Sequence, residues 1–223
     1  MGLTIIPTKL QVPLPPSKML DRPRLAARLD ETFRAPVTLI AADAGFGKST
    51  LVASFLATDG RPSIWYRLDT GDSAPAIFAA HLLNGLKRYI SRGAYAFAIR
   101  GLGLVTDWNA AAQLLALAMY RLKHECLIVL DDFHLLTAPT LNEGITRLVD
   151  TLPSRARLAI LTRVVPRLPL PRWRAQSRLA EIPADDLRFT MSELRALLVD
   201  IHSLRTASAS SRSTYRTCDN RGG

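Results

Sequence analysis

Thiols are scarce: two cysteines, Cys126 and Cys218, in 223 residues. Cys126 stands in an apolar run and Cys218 in a polar stretch, which argues against a disulfide framework and for a reduced, cytoplasmic chain. The four histidines, His81, His124, His134 and His202, follow no metal-ligand spacing and have no cysteines clustered with them, so no protein-built metal centre is expected. No uninterrupted apolar run approaches the ~18 residues that a bilayer span requires, and the N-terminus lacks a charged-then-apolar leader pattern; no membrane partner is expected. A nucleophile–histidine–acid set is missing. Acids are outnumbered, 19 Asp+Glu against 29 Lys+Arg, for a net charge of +10. That balance favours an anionic partner such as a nucleotide, a nucleic acid or an acidic protein face, without choosing among them; the plainer reading is a solvated arginine-rich surface.

Against these absences stands one stretch, Val37 to Leu51, VTLIAADAGFGKSTL. Val37-Thr38-Leu39-Ile40 reads as a buried strand, Gly45 and Gly47 break it, and Lys48-Ser49-Thr50 opens a helical pattern. Glycines let consecutive backbone N–H groups turn toward an anion, and a helix N-terminus adds its positive end. Lys48 is placed to reach the β- and γ-phosphates, and the Ser49 hydroxyl to take one site on Mg²⁺. The general pattern G-x-x-x-x-G-K-[ST] has glycine where this chain has Ala42, which is compatible only with a negative φ there. The candidate cofactor-binding residues are Ala44, Gly45, Phe46, Gly47, Lys48, Ser49 and Thr50. The bland alternative is an ordinary strand-to-helix turn with an exposed lysine.

The rest of the chain supplies elements in alternation. Four prolines in residues 1–20 indicate an extended lead-in. Asp21 as a cap before Pro23 starts a helix to about Phe33, with Arg22 and Arg24 either surface charges or the edge of a nucleotide pocket. A helix with Leu51, Val52, Phe55 and Leu56 on its inner face ends at Gly60. Residues 63–68 form a strand, Asp69 and Asp72 a turn, and Pro75 opens a helix to about Ile90. Gly93 to Gly103 reads as a loop, and 107–123 as a helix capped by Asp107. A helix over 139–152, a strand over 157–163, a proline- and arginine-rich loop over 166–174, an edge strand over 179–182 and a short helix from Thr190 or Ser192 to about Val199 complete the pattern. From Ser203 onward the composition cannot bury a core, so 203–223 is expected to be disordered.

Cys126-Leu127-Ile128-Val129-Leu130 is the most apolar strand candidate, and it ends in Asp131-Asp132. Taken with the glycine loop, it reads as the second half of a nucleotide-hydrolysing site: Asp131 for Mg²⁺, directly or through water, and Asp132 to polarise the attacking water. Thr162 and Arg163 end a strand expected beside it, where Arg163 is either a γ-phosphate sensor or a surface arginine. The catalytic candidates are therefore Asp132, Lys48 and Arg163, and the metal ligands Ser49 and Asp131.

The segments TKLQVPLPPSKMLDRPRL, AADAGFGKSTL, IWYRLDTGD, CLIVLDDFHLLT, RLAILTRVVPRLPLPRWR and LAEIPADDLRFTMSEL, in this order over about residues 8–200, resemble the N-terminal ATPase domain of the MalT-like, LuxR-type transcriptional regulators, members of the STAND class of signal-transduction ATPases. Ala42 is usual in that family, which has an Ala-Gly-Phe/Tyr-Gly-Lys core. The resemblance implies an α/β P-loop NTPase three-layer sandwich, with a mainly parallel sheet, helices on both faces, and Walker A and Walker B on adjacent strands. It implies ATP exchanged with ADP as a switch, Mg²⁺, slow hydrolysis, and self-association or a partner protein.

The resemblance also implies further regions: a helical and winged-helix part, a repeat-built inducer-binding domain and a C-terminal helix-turn-helix. Here the chain turns to a Ser/Arg-rich stretch instead, as a truncated or frameshifted reading frame would. The expected organisation is a lead-in at 1–20, a P-loop NTPase domain at 21–189, the start of a truncated helical region at 190–202 and the tail at 203–223. The expected function is an ATP-binding, slow-ATPase signalling module without specific DNA binding of its own; the alternatives are a stand-alone P-loop enzyme such as a small-molecule kinase, with arginines 163–178 as a lid, or a non-catalytic nucleotide-binding remnant.

Overall fold

Short runs of β-branched and aliphatic residues, each too short for a helix and flanked by turn residues, become strands. The computed structural model describes residues 4–16, 20–138 and 140–199. Five strands form one sheet: β1 (Val37–Ala41), β2 (Ser63–Arg67), β3 (Cys126–Asp131), β4 (Ala156–Thr162) and β5 (Leu179–Pro183). The pairings are all parallel, in the order β2-β3-β4-β1-β5. Parallel strands are covered on both faces and therefore read as continuous apolar runs; β3 is buried along its whole length.

Side chains alternate across the sheet. Ile128 and Leu130 of β3, Leu158 and Ile160 of β4 and Leu39 of β1 face one core. That core is covered by α3 (Pro75–Leu86), α4 (Arg92–Gly101), α5 (Trp108–Met119) and α6 (Leu141–Asp150). Leu127 and Val129, Ala159 and Leu161, and Ile40 face the other core, against α1 (Pro23–Thr32) and α2 (Lys48–Asp59). The result is a three-layer α/β sandwich with helices on both faces.

The strand order corrects one expectation. The strand before the glycine loop and the strand ending in Asp131 are not neighbours: β4 lies between them, pairing Ala41 with Thr162 on one side and Leu130 with Ile160 on the other. β4 is buried along nearly its full length, which suits a central position. Other differences are local. Residues 93–103 form α4 and a 3-10 turn at Leu102–Leu104 rather than a loop, because Ser91 caps the helix by accepting from the Ala94 N–H at 3.2 Å and alanines fill its interior. Residues 170–175 form a short helix, α7 (Leu170–Ala175), that buries Trp173. Helix α8 (Ala184–Leu187) follows β5. The helix expected over 139–152 runs from Leu141 to Asp150, and Pro139 lies outside the described residues.

Residues 4–16 and 23–187 form one compact unit; residues 20–22 and 188–199 belong to another. In the first, the proline-rich lead-in makes a 3-10 turn at Pro7–Leu10. Lys9 donates to both carboxylate oxygens of Asp72 at 2.8 and 2.9 Å, and lies 2.8 Å from Asp69. In the second, residues 191–199 are helical. Thr190 Oγ1 accepts from the Glu193 N–H at 3.2 Å, and the Glu193 carboxylate accepts from the Thr190 N–H at 2.8 Å, a reciprocal cap. The expected tail, 203–223, and the end of the expected helical region, 200–202, lie outside the described residues.

Candidate functional site

In a parallel sheet, functional loops gather at the carboxyl ends of the strands. Here β1, β3 and β4 end side by side, and the Ala42 N–H donates to the Thr162 carbonyl at 3.2 Å. After β1 the chain turns through Gly45 (φ 85°) and Gly47 (φ 74°) into α2. A Cβ on either glycine would meet nothing within 4 Å, so the positive φ, not crowding, is what requires glycine there. Among the described residues, Asp132 and Ser177 are the non-glycine positions with positive φ; Ala42 is not among them and fits its place. The first N–H groups of α2 have no partner inside the helix, and they face the turn's mouth with the helix's positive end.

Lys48, the first residue of α2, folds back over this turn. Its ammonium donates to the Ala42 carbonyl at 2.6 Å and the Asp43 carbonyl at 2.9 Å. Burial lowers its pKa below the ordinary lysine value, opposed by Asp131 and reinforced by the nearby Arg163. Ser49 Oγ donates to Asp131 Oδ1 at 2.8 Å across 82 positions of sequence. The pairing follows from strand alternation: residues 127, 129 and 131 of β3 share the face that packs on α2. Asp131 is 4% exposed. Besides Ser49, the same oxygen accepts from the Asp132 N–H at 3.0 Å. Burial raises its pKa, the Ser49 bond opposes that, and the Asp132 charge adds to it. Asp131 thus feels the charges of Lys48 and Arg67 without a cation paired to it directly among the described residues.

Asp132 leaves the strand in the left-handed region (φ 58°, ψ 35°). That turn carries its side chain off the β3 face, and its carboxylate lies 3.7 Å from Arg67 Nε at the end of β2. His134 follows on a 3-10 turn at Phe133–Leu135. Its Nδ1 is buried without a hydrogen-bond partner, and burial lowers its pKa, with Asp132, Arg163 and Lys48 as the charges it feels. Neither Arg67 nor His134 was expected at the site from the sequence. His134 carried a signal, two residues past the Asp-Asp pair; Arg67 carried none, because only sheet pairing brings it there.

Thr162 Oγ1 is spent on the Val164 carbonyl at 2.8 Å, which leaves Arg163 as the exposed cation at that strand end. The structure thus brings together Ala44 to Thr50, Asp131, Asp132 and Arg163. Arg24 is anchored elsewhere, donating to the Asp186 carbonyl at 2.9 Å. Arg22 belongs to the second unit, where it donates to the Arg188 carbonyl at 2.8 Å and to Glu193 at 3.2 Å, and stacks over Phe189. Of the arginines over 163–178, Arg172 is paired with Asp150, Arg174 with Glu181, and Arg178 with the Val149 carbonyl, so they are not a free arginine lid. No helix among the described residues is long and apolar enough to cross a membrane.

No protein-family model matches the chain. Among curated proteins, it is 31% identical over 195 residues to the HTH-type transcriptional regulator MalT of Serratia proteamaculans, and 29% identical over 195 residues to MalT of Cronobacter sakazakii. Each match covers 86% of this chain and 21% of the relative, so the chain spans about a fifth of their length. Among solved structures, a STAND protein with a tetratricopeptide repeat sensor from Pyrococcus horikoshii aligns with TM-score 0.56 at 18% identity, covering 80% of this chain and 25% of that one. The Aeropyrum pernix ORC1 protein, solved in complex with DNA, aligns with TM-score 0.54 at 17% identity, covering 83% and 50%. The chain therefore shares the three-layer α/β fold of these solved structures and is similar in sequence to the MalT transcriptional regulators over about a fifth of their length.

Proposed function

We propose that the ends of β1, β3 and β4 form a Mg²⁺-dependent ATP/ADP site, and that the chain acts as the nucleotide-binding switch module of a MalT-like transcription regulator, reset by slow hydrolysis. One observation carries the reading: the buried Asp131 carboxylate is bonded to Ser49 at the foot of a glycine turn whose lysine is held by two backbone carbonyls alone. These residue types fit the group. Glycines with positive φ leave the N–H groups of Ala44 to Thr50 available to phosphate oxygens. Hard oxygen donors from Ser49 and Asp131 suit Mg²⁺.

Bound Mg²⁺–ATP supplies an electrophilic phosphorus and a metal charge that offsets negative charge on the phosphate oxygens. The chain's own groups do the rest. Lys48 exchanges its carbonyl partners for β- and γ-phosphate oxygens. Asp131 and Ser49 hold the metal. Asp132 accepts hydrogen-bond density from the attacking water and polarises it. Arg163 balances charge at the γ-phosphate. Self-association in the ATP-bound form is the expected output, and specific DNA contact is not assigned to this segment.

The test separates the two aspartates. Asp131→Asn is expected to weaken Mg²⁺-dependent nucleotide binding and to spare Mg²⁺-independent binding. Asp132→Asn is expected to keep Mg²⁺–ATP affinity and to slow single-turnover hydrolysis by ~10²–10⁴-fold. If Asp132→Asn loses affinity while Asp131→Asn loses only turnover, the assigned roles are reversed.

A further inference from the structure

α4 and α5 make a groove that the nucleotide site does not use. α3 and α5 each bury seven residues, whereas α4 buries only Ala98. The two helices are pinned at one end: a Cβ on Gly101 would meet Leu114 Cδ1 at 2.7 Å. Toward the other end they part, leaving a cavity of about 390 Å³. Its lining is apolar, with the buried Ala98, Leu114 and Ala118 and the smaller Gly93 and Ala94. Its large exposed apolar residues are Phe97 from α4 and Leu117 from α5, 69% and 61% exposed. An apolar lining flanked by two large exposed apolar side chains admits side chains projecting from a rod, the geometry of a helix laid in a groove.

The charge around it has one sign. Residues 87–123 contain Lys87, Arg88, Arg92, Arg100, Arg121 and Lys123 against a single acid, Asp107. Asp107 is already used as the cap of α5, accepting from the Ala110 N–H at 2.8 Å. All six cations are exposed. Arg121 lines the groove, and Arg92 sits between its lining residues Ser91 and Gly93. The N-terminus of α4 opens at the same place and adds its own positive end.

We propose that the α4–α5 groove is a docking site for an acidic amphipathic helix of a partner protein, with apolar side chains between Phe97 and Leu117 and carboxylates on Arg121 and Arg92. A second copy of this chain is disfavoured, because it would bring the same basic rim to the contact. Nucleic acid would use the cations but would leave Phe97 and Leu117 in water.

The experiment is a fluorescence-anisotropy titration of the full chain with a synthetic helical peptide carrying leucines at i, i+3, i+4 and i+7 and glutamates on the flanks. Two controls accompany it: the same composition with the leucines scrambled, and the same leucines with lysine replacing glutamate. The patterned acidic peptide is expected to bind best. Leu117→Glu is expected to weaken it roughly tenfold or more. Arg121→Glu combined with Arg92→Glu should reverse the preference toward the lysine peptide. Circular dichroism and nucleotide binding should stay at parental values in these variants, because the changed residues are exposed and outside the phosphate-loop site. Equal binding of patterned and scrambled peptides, competition by heparin that ignores Leu117→Glu, or no saturable binding up to about 1 mM peptide would each overturn the proposal.

Discussion

Among the described residues two carboxylates are buried, Asp72 at 0% and Asp131 at 4% exposure, and they are treated in opposite ways. Asp72 receives Lys9 on both oxygens and the Asp69 N–H at 2.9 Å. Burial pulls the Lys9 pKa down, but the bonds and charges of Asp69 and Asp72 outweigh it and hold it above the ordinary lysine value. Asp131 receives a hydroxyl and one backbone N–H, and its pKa is raised by burial. A buried carboxylate whose cation comes from the chain is part of the fold's framework. We propose that one held with neutral donors beside a glycine turn is arranged for a cation from outside.

The largest expected effect breaks the first half of that contrast. Lys9→Ala leaves Asp72 buried and unpaired, and should cost about 3–5 kcal/mol in urea unfolding, the range for removing one partner of a buried pair. Next is Lys48→Ala, which removes a charge-assisted contact of ~1.5–3 kcal/mol. ATP affinity should fall about tenfold or more by calorimetry, with little change in unfolding. Smaller still, and opposite in sign, is Asp131→Asn. Without nucleotide it should raise stability by about 1 kcal/mol, because it removes a desolvated charge.

The smallest effect sharpens the comparison through pH. Asp131 has a folded pKa above its ordinary 3.8, so its folded state holds the proton more tightly. Its contribution is most favourable below that value and is lost as pH rises through the folded pKa. Asp69 is depressed, chiefly by the Lys9 hydrogen bond; its contribution is present above its ordinary value and is lost as pH falls through the folded pKa. The melting-temperature gain of Asp131→Asn over parent should therefore be larger at about pH 7 than at about pH 4, whereas Asp69→Asn should show its penalty at the higher pH. Paired thermal melts at the two pH values check both signs.

The strands and the glycine turn were legible because parallel strands need apolar residues on both faces, and because positive φ at positions 45 and 47 requires glycine. α4 was hidden because Gly93, Gly101 and Gly103 read as breakers, while the Ser91 cap and the alanines that hold the helix are weaker signals. Gly101 serves close packing on Leu114 rather than a turn. β4 lies beside β3, as expected, but its insertion between β3 and β1 was not legible, since strand order is set by crossovers of many residues and not by any local pattern. Lys9 carried no signal at all: a lone lysine among prolines acquires meaning only when the 3-10 turn at Pro7–Leu10 sets it against Asp69 and Asp72.

Whether Asp131 and Ser49 are arranged for a cation brought with a nucleotide is read most directly from the unfolding temperature of the parent chain and of Asp131→Asn with ATP, in excess Mg²⁺ and in excess chelator. A bound ligand stabilises by about 2.7 kcal/mol at a hundred times its Kd. ATP is expected to raise the parent's unfolding temperature far more with Mg²⁺ than with chelator, and this Mg²⁺-dependent increment is expected to disappear in Asp131→Asn. An equal increment in parent and Asp131→Asn would contradict that arrangement.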